Sequence, residues 1–278
     1  MPQPVVERID AYLDQAPRSA ANAVAVGPFT LFVGQAGGWP YYARPTLPPR
    51  EVFTAEHIRQ LLTKQRELGV PESLEAIADT APSIRTACDD AGLSVVDLPM
   101  LVHSQTIASP IPKGIRIRRL AADDPAIASH RVVAQLAFSN QGTQLGSAGP
   151  VDRDRELGSR DPARDDFLRR RVDSGTTVVV VAEDEHGVLA TGAHQPVGDT
   201  TEIVGVAALP SARRRGLGAA VTNMLVADAL RHGVDMVMLS AGSDDVARVY
   251  ERVGFQRVAT ALSAESSRET STADSQSP

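Results

Sequence analysis

Residues 202–218 run EIVGVAALPSARRRGLG. The apolar, β-branched run from Glu202 to Leu209 reads as a strand that stops at Pro210. Arg213, Arg214 and Arg215 follow. Gly216, Leu217 and Gly218 then open an apolar helix that continues to Arg231 and closes at His232-Gly233. Glycines let a turn aim several backbone N–H groups at one point. The helix start adds unpaired N–H donors and a partial positive charge. Such a turn suits a diphosphate, and the arginines add full charges to it.

Three phosphate-binding designs share this strand–glycine turn–helix plan. A nucleotide P-loop ends in Gly-Lys-Ser/Thr, but here the sequence is Gly218-Ala219-Ala220. A dinucleotide fingerprint has a third Gly or Ala where this chain has Val221, and an acid ending the next strand, whereas Asp235 precedes it. The third design fits. Arg213-x-x-Gly216-x-Gly218 resembles the R/Q-x-x-G-x-G/A loop of the GNAT superfamily of acyl-CoA-dependent N-acetyltransferases. One helix and one strand later, residues 246–255 run VARVYERVGF. They resemble the closing A-x-x-L-Y-E-x-x-G-F signature of the same family. The resemblance covers residues 115 to about 260.

That resemblance implies an α/β (α+β) GNAT fold, a mixed and mostly antiparallel sheet flanked by helices. It implies transfer of an acetyl group from acetyl-CoA to a primary amine of a small molecule or peptide. The attack would be direct, in a ternary complex, with no metal. The diphosphate would rest on Arg213, Arg214, Arg215, Gly216, Leu217, Gly218 and Ala219. The pantetheine would run beside Val206, Ala207 and Ala208, where two strands splay. Glu202 stands where some members carry a glutamate base, and Tyr250 matches the tyrosine that serves the departing thiolate. Ser243 stands near the place of an asparagine that many members use to contact pantetheine. Each residue also has a plainer reading: a solvated basic patch for the arginines, core packing for Tyr250, a solvent-facing strand start for Glu202.

Outward from this segment, the chain divides into four parts. Residues 1–103 form a smaller α/β block. Residues 104–114, with Pro110, Pro112 and Gly114, read as a linker. Residues 115–260 hold the motifs, and residues 261–278 read as a polar, disordered tail. The first block has helices at 5–13, 54–69 and 82–91, and extended segments at 29–33, 93–96 and 98–102. Its IRTACDDAGLSVV segment echoes VARVYERVGFQRV, placing Cys88 on Tyr250 and Gly92 on Gly254. The echo has two readings: a degenerate, GNAT-like half that lacks the arginine–glycine loop and binds no CoA, or simply a common helix–glycine–strand ending. The Trp39-Pro40-Tyr41-Tyr42 cluster reads as packing between the blocks, or as acceptor-pocket lining.

Composition narrows the alternatives. The chain has 278 residues, 42% of them hydrophobic, which is ample for a core. Acidic residues outnumber basic ones by 34 to 28, giving a net charge of −6, against a general nucleic-acid binder. Cys88 is the only cysteine, so an intramolecular disulfide and a multi-thiolate zinc site are both excluded. No signal peptide or bilayer-length apolar run is visible, and the expected location is the cytoplasm. Expected partners are an amine substrate and acetyl-CoA, not nucleic acid or membrane, with a homodimer left open. Two other classes compete: a non-catalytic acyl-CoA-binding or sensing protein, and an interaction scaffold.

Overall fold

The computed structural model describes residues 4–35, 38, 41–49, 52–140, 142–159 and 161–266. The N-terminal half is built from α1 (Val5–Gln15), β1 (Ala21–Val26), β2 (Phe29–Gly34), β3 (Ala43–Pro45), α2 (Ala55–Leu68), β4 (Ser73–Ile77), α3 (Ile84–Asp90) and β5 (Leu93–His103). The C-terminal half adds β6 (Arg116–Arg119), α4 (Ala126–Phe138), α5 (Pro150–Gly158), α6 (Pro162–Asp173), β7 (Val178–Asp184), β8 (Gly187–Val197), β9 (Thr200–Ala208), α7 (Leu217–Arg231), β10 (Met236–Ser240), α8 (Asp244–Glu251) and β11 (Phe255–Ser266).

The eleven strands of the described residues form one sheet, in the order β1-β2-β3-β4-β11-β5-β10-β9-β8-β7-β6. The halves are therefore interlocked rather than placed side by side. β11, the last strand of the C-terminal half, lies between β4 and β5 of the N-terminal half. β5 in turn lies between β11 and β10. Each half thus borrows a strand from the other, and the two borrowed strands pair antiparallel along their whole length, from Leu93↔Ser266 to His103↔Phe255.

The order of elements also repeats. A short parallel pair, β3·β4, brackets α2, and a second parallel pair, β9·β10, brackets α7. α3 and α8 follow, each leading through a positive-φ glycine, Gly92 (φ 83°) and Gly254 (φ 101°), into the exchanged strands. The echo between the two sequence segments thus has a topological counterpart.

Several expectations need correction. The polar tail was expected from residue 261, yet β11 runs to Ser266. Leu262 and Ala264 alternate with Ser263 and Glu265, and both are fully buried in the core of the N-terminal half. β1, β3 and β4 carry too little periodicity to be read from sequence, and β3 is only three residues long. Residues 152–171, whose interleaved charges read as a solvated helix face, are split over two helices, because Asp161 caps a new start at Pro162. Pro99 does not break β5. Its carbonyl accepts from Ala241 N on the β10 side, so its missing N–H would point the same way. β10 pairs only with residues 100–102, so no ladder bond is lost there. Residues 39, 40 and 267–278 lie outside the described residues.

α1 packs where the two halves meet. Ile9, Tyr12 and Leu13 are buried against Ile77, Met100, Met236 and Met238, which come from β4, β5 and β10. The Tyr12 hydroxyl donates to the Gln195 carbonyl on β8 at 2.6 Å. Arg8 reaches Asp199 at 3.2 Å, in the turn before β9.

Candidate active site

Three backbone features meet at the start of α7. The first is the loop. Arg214 has φ 61°, the only positive φ among described non-glycine residues, and Gly216 has φ 79°. Left-handed residues alternating with ordinary ones turn successive N–H groups toward a common side. The second is the helix end. Its N-cap, Gly216, has no side chain to cap the helix. Among the described residues, none accepts from the N–H groups of Leu217, Gly218 or Ala219. Arg214, Arg215 and Gly216 are solvent-exposed, so this donor cluster is open.

The third feature is the strand beside it. β9 pairs with β10 only from Thr200↔Met236 to Glu202↔Met238, although β9 continues to Ala208. Beyond Glu202 the two strands separate, leaving Val206, Ala207 and Ala208 along the gap. A bulge helps to turn them: the β8·β9 register slips between Thr191 and Ala193, and Gly205 takes φ 63°. The gap reaches the helix start, since a Cβ on Gly218 would lie 3.8 Å from Val206 Cγ1.

The N-terminal half lacks this arrangement. Thr54 stands before α2 as Gly216 stands before α7, and its hydroxyl accepts from His57 N. Phe53, just before it, is buried and stacks on Phe29 at 5.4 Å. A capped helix with an aromatic ring in the approach has no open donor cluster.

Two expected cofactor contacts are engaged elsewhere. The Arg213 guanidinium donates to the carbonyls of Ala137 (2.8 Å), Asn140 (2.5 Å) and Gln144 (3.0 Å). It secures the end of α4 instead of facing the loop's open side. Ser243 Oγ accepts from Val246 N at 3.3 Å and so caps α8. Arg214, Arg215, Gly216, Leu217, Gly218 and Ala219 are brought together as expected.

Tyr250 is half-buried on α8, with its ring edge-on to Phe255 at 6.0 Å, and His103 packs on the other side of Phe255 at 5.4 Å. Burial pushes the phenol up to about 12, so it stays protonated through the neutral range. Its hydroxyl has no hydrogen-bond partner among the described residues.

Glu202 is half-buried at the point where the β9·β10 pairing ends. Burial first, then the like charge of Glu75, raises its carboxyl to about 8, against a smaller lowering by Arg44. It lines a cavity of about 30 Å³ with Arg44, Glu75, Met100 and Ser240. Most of the cavity's lining, including Leu13, Arg44, Glu75, Leu98 and Met100, comes from the N-terminal half. Tyr42, from the aromatic cluster, favours the charged form of Glu75 while burial opposes it, and burial raises the Tyr42 pKa well above the usual phenol value. Glu75 carried no signal in the sequence, because β4 was not legible and nothing local pairs Glu75 with Glu202.

A buried polar network backs the strand from the helix side. His194 contacts Thr201 Oγ1 at 3.0 Å and Asp228 at 3.2 Å, and Arg119 and His232 also reach Asp228. Among the described residues, no group of His, Cys, Asp and Glu could hold a metal ion, and no helix is long and apolar enough to cross a membrane.

The profile of the Acetyltransferase (GNAT) family matches residues 149–255. No curated protein matches the chain. Among solved structures, a GCN5-related N-acetyltransferase from Kribbella flavida superposes with a TM-score of 0.71 at 19% identity, covering 96% of this chain and 97% of that one. A GNAT-family acetyltransferase structure from Novosphingobium aromaticivorans gives 0.55 at 16% identity, over 96% and 100% of the two chains. A tandem GNAT protein from the clavulanic acid biosynthesis pathway gives 0.51 at 16% identity, over 86% and 78%. The uncapped, glycine-led start of α7 beside the β9 gap falls within the matched segment. Over residues 149–255 the chain carries an acetyltransferase domain of the GNAT family.

Proposed function

We propose that the chain transfers an acetyl group from acetyl-CoA to a primary amine, by direct attack in a ternary complex. The observation that carries this reading is the open donor cluster at the start of α7, placed against the gap between β9 and β10. The N–H groups from Arg214 to Ala219 suit the diphosphate of CoA, with the Arg214 and Arg215 guanidiniums alongside. The pantetheine then lies along Val206, Ala207 and Ala208, where unpaired strand edges offer backbone hydrogen bonds. The thioester ends near Glu202.

The chemistry follows from the two titratable groups. An alkylammonium has an ordinary pKa of about 10.4 and must lose a proton before it attacks. A carboxylate raised to about 8 is a far stronger base than an ordinary one, so Glu202 can take that proton. The amine nitrogen then bonds to the acetyl carbon, and the N–H of Val206 at the bulge polarises the carbonyl oxygen. The C–S bond breaks, the departing sulfur takes the proton of the Tyr250 hydroxyl, which burial keeps as a donor, and the second proton lost by the attacking nitrogen restores the phenol. The products are the N-acetylated amine and free CoA.

Thiol release from acetyl-CoA with a broad panel of primary amines tests the reading. Turnover with at least one amine is expected. Gly216→Asp places a carboxylate against the diphosphate and should abolish acetyl-CoA binding in calorimetry; retained binding refutes the assignment of the loop.

A further inference from the structure

We propose that Glu75, from the N-terminal half, completes the acceptor site: across the cavity it holds, together with Glu202, the ammonium group of the incoming amine. This rests on the acyl-transfer reading and names the acceptor class, a small cationic amine without a carboxylate beside its nitrogen.

The placement is the first argument. The cavity lies where the β9·β10 pairing ends, so it sits at the apex of the gap assigned to pantetheine. Its walls come from both halves: Arg44 and Glu75 from β3 and β4, Met100 from β5, Ser240 and Glu202 from β10 and β9. Three strands separate β4 from β9 in the sheet, yet Glu75 and Glu202 both line this cavity.

Charge is the second argument. Asp10, Glu75 and Glu202 share one guanidinium, that of Arg44, which is fully buried and already paired with Asp10 at 2.8 Å. Asp10 also accepts from Thr80. The groups facing Glu202 are Tyr12 from α1, Tyr42 and Arg44 from the β3 region, and Glu75 from β4. Among the described residues none donates a hydrogen bond to the Glu202 carboxyl. The cluster is short of positive charge, and an ammonium restores it. A carboxylate next to the nitrogen would place a further acid beside these three.

Arg44 gives an independent sign of an occupant. Its Nε–H is buried and has no acceptor. Leaving such a donor unpaired is costly, so an oxygen belongs in the same cavity, either a water that enters with the amine or an oxygen the amine carries.

The test uses the full chain with ¹³C-carboxyl-labelled glutamate, the Glu202 signal being assigned by its loss in Glu202→Gln. Methylammonium chloride is the probe, with tetramethylammonium and acetate as controls. Methylammonium should lower the Glu202 titration midpoint by half a pH unit or more, and the controls should not. In Glu75→Gln the midpoint should start lower, by part of its elevation only, and the methylammonium shift should shrink at least threefold. With an accepted amine, that variant should raise the amine KM about tenfold and leave the acetyl-CoA KM unchanged. No methylammonium shift in the wild-type protein, or an equal shift with tetramethylammonium, overturns the proposal even if Glu75→Gln does not fold. Loss of the acyl-transfer reading would show separately, as failure to bind acetyl-CoA while the methylammonium shift persists.

Discussion

Gly254→Ala and Gly92→Ala make a matched pair, because the two glycines occupy corresponding places in the repeat yet differ in surroundings. Both have positive φ, 101° and 83°, so any side chain there carries backbone strain of about 1–2 kcal/mol. At Gly92 a Cβ would meet nothing within 4 Å, and strain is the whole cost. At Gly254 the Cβ would lie 1.6 Å from the Gln105 carbonyl oxygen, an overlap that only backbone movement can relieve. Moving that segment strains the bonds to the Gly254 carbonyl from Ser104 N (2.9 Å), Ser104 Oγ (3.0 Å) and Gln105 N (3.3 Å). At about 1 kcal/mol each, losing two or three of them raises the total for Gly254→Ala to roughly 3–5 kcal/mol. Urea unfolding of both variants measures the difference, and a gap of about 2–3 kcal/mol is expected. Equal destabilisation would show that the close crossing of residues 104–105 over Gly254 does not exist in solution.

Three further outcomes follow from the site. Tyr250→Phe should lower kcat at least tenfold while acetyl-CoA affinity, measured by calorimetry, stays within about twofold; unchanged kcat removes the tyrosine from the reaction. Glu202 should make stability fall with rising pH: its folded carboxyl holds a proton to about 8 that the unfolded chain releases near its ordinary value, so stability drops progressively between about pH 4.5 and 8. Glu202→Gln escapes this loss and should gain about 2–4 kcal/mol over wild type between pH 5 and pH 8, while losing activity; a pH-independent gain would contradict the raised carboxyl. Arg213→Ala should cost about 1–3 kcal/mol in thermal or urea unfolding, by freeing three carbonyls, whereas Arg214→Ala should leave stability nearly unchanged and raise the acetyl-CoA KM severalfold.

What the sequence made legible was local. The turn at Gly216, the helix after it and the Tyr250 helix ending at Gly254 are specified by residues close together in the chain, where glycine positions and apolar spacing carry the signal. What it hid was set by partners far away. Arg213 looked like a cofactor contact because its actual acceptors lie some seventy residues earlier. Glu75 looked like an ordinary acid because only the shared sheet brings β4 and β9 to one cavity. The end of β11 looked disordered because its buried positions, Leu262 and Ala264, are small and interleaved with serine and glutamate, and only the strands on either side give that alternation a core to face.

The exchanged strands have a consequence for how the chain is made. The N-terminal half cannot close its sheet between β4 and β5 until β11 emerges, and among the described residues β11 is the last strand in chain order. During translation the edges of β4 and β5 stay unsatisfied, and the nascent half must wait with two open ladders. Cutting at residue 104 would not liberate a smaller enzyme, because it would remove the strand that stands between β10 and β11. The polypeptide folds as one unit, late and through long-range pairing, which is the slow regime for a sheet of this kind.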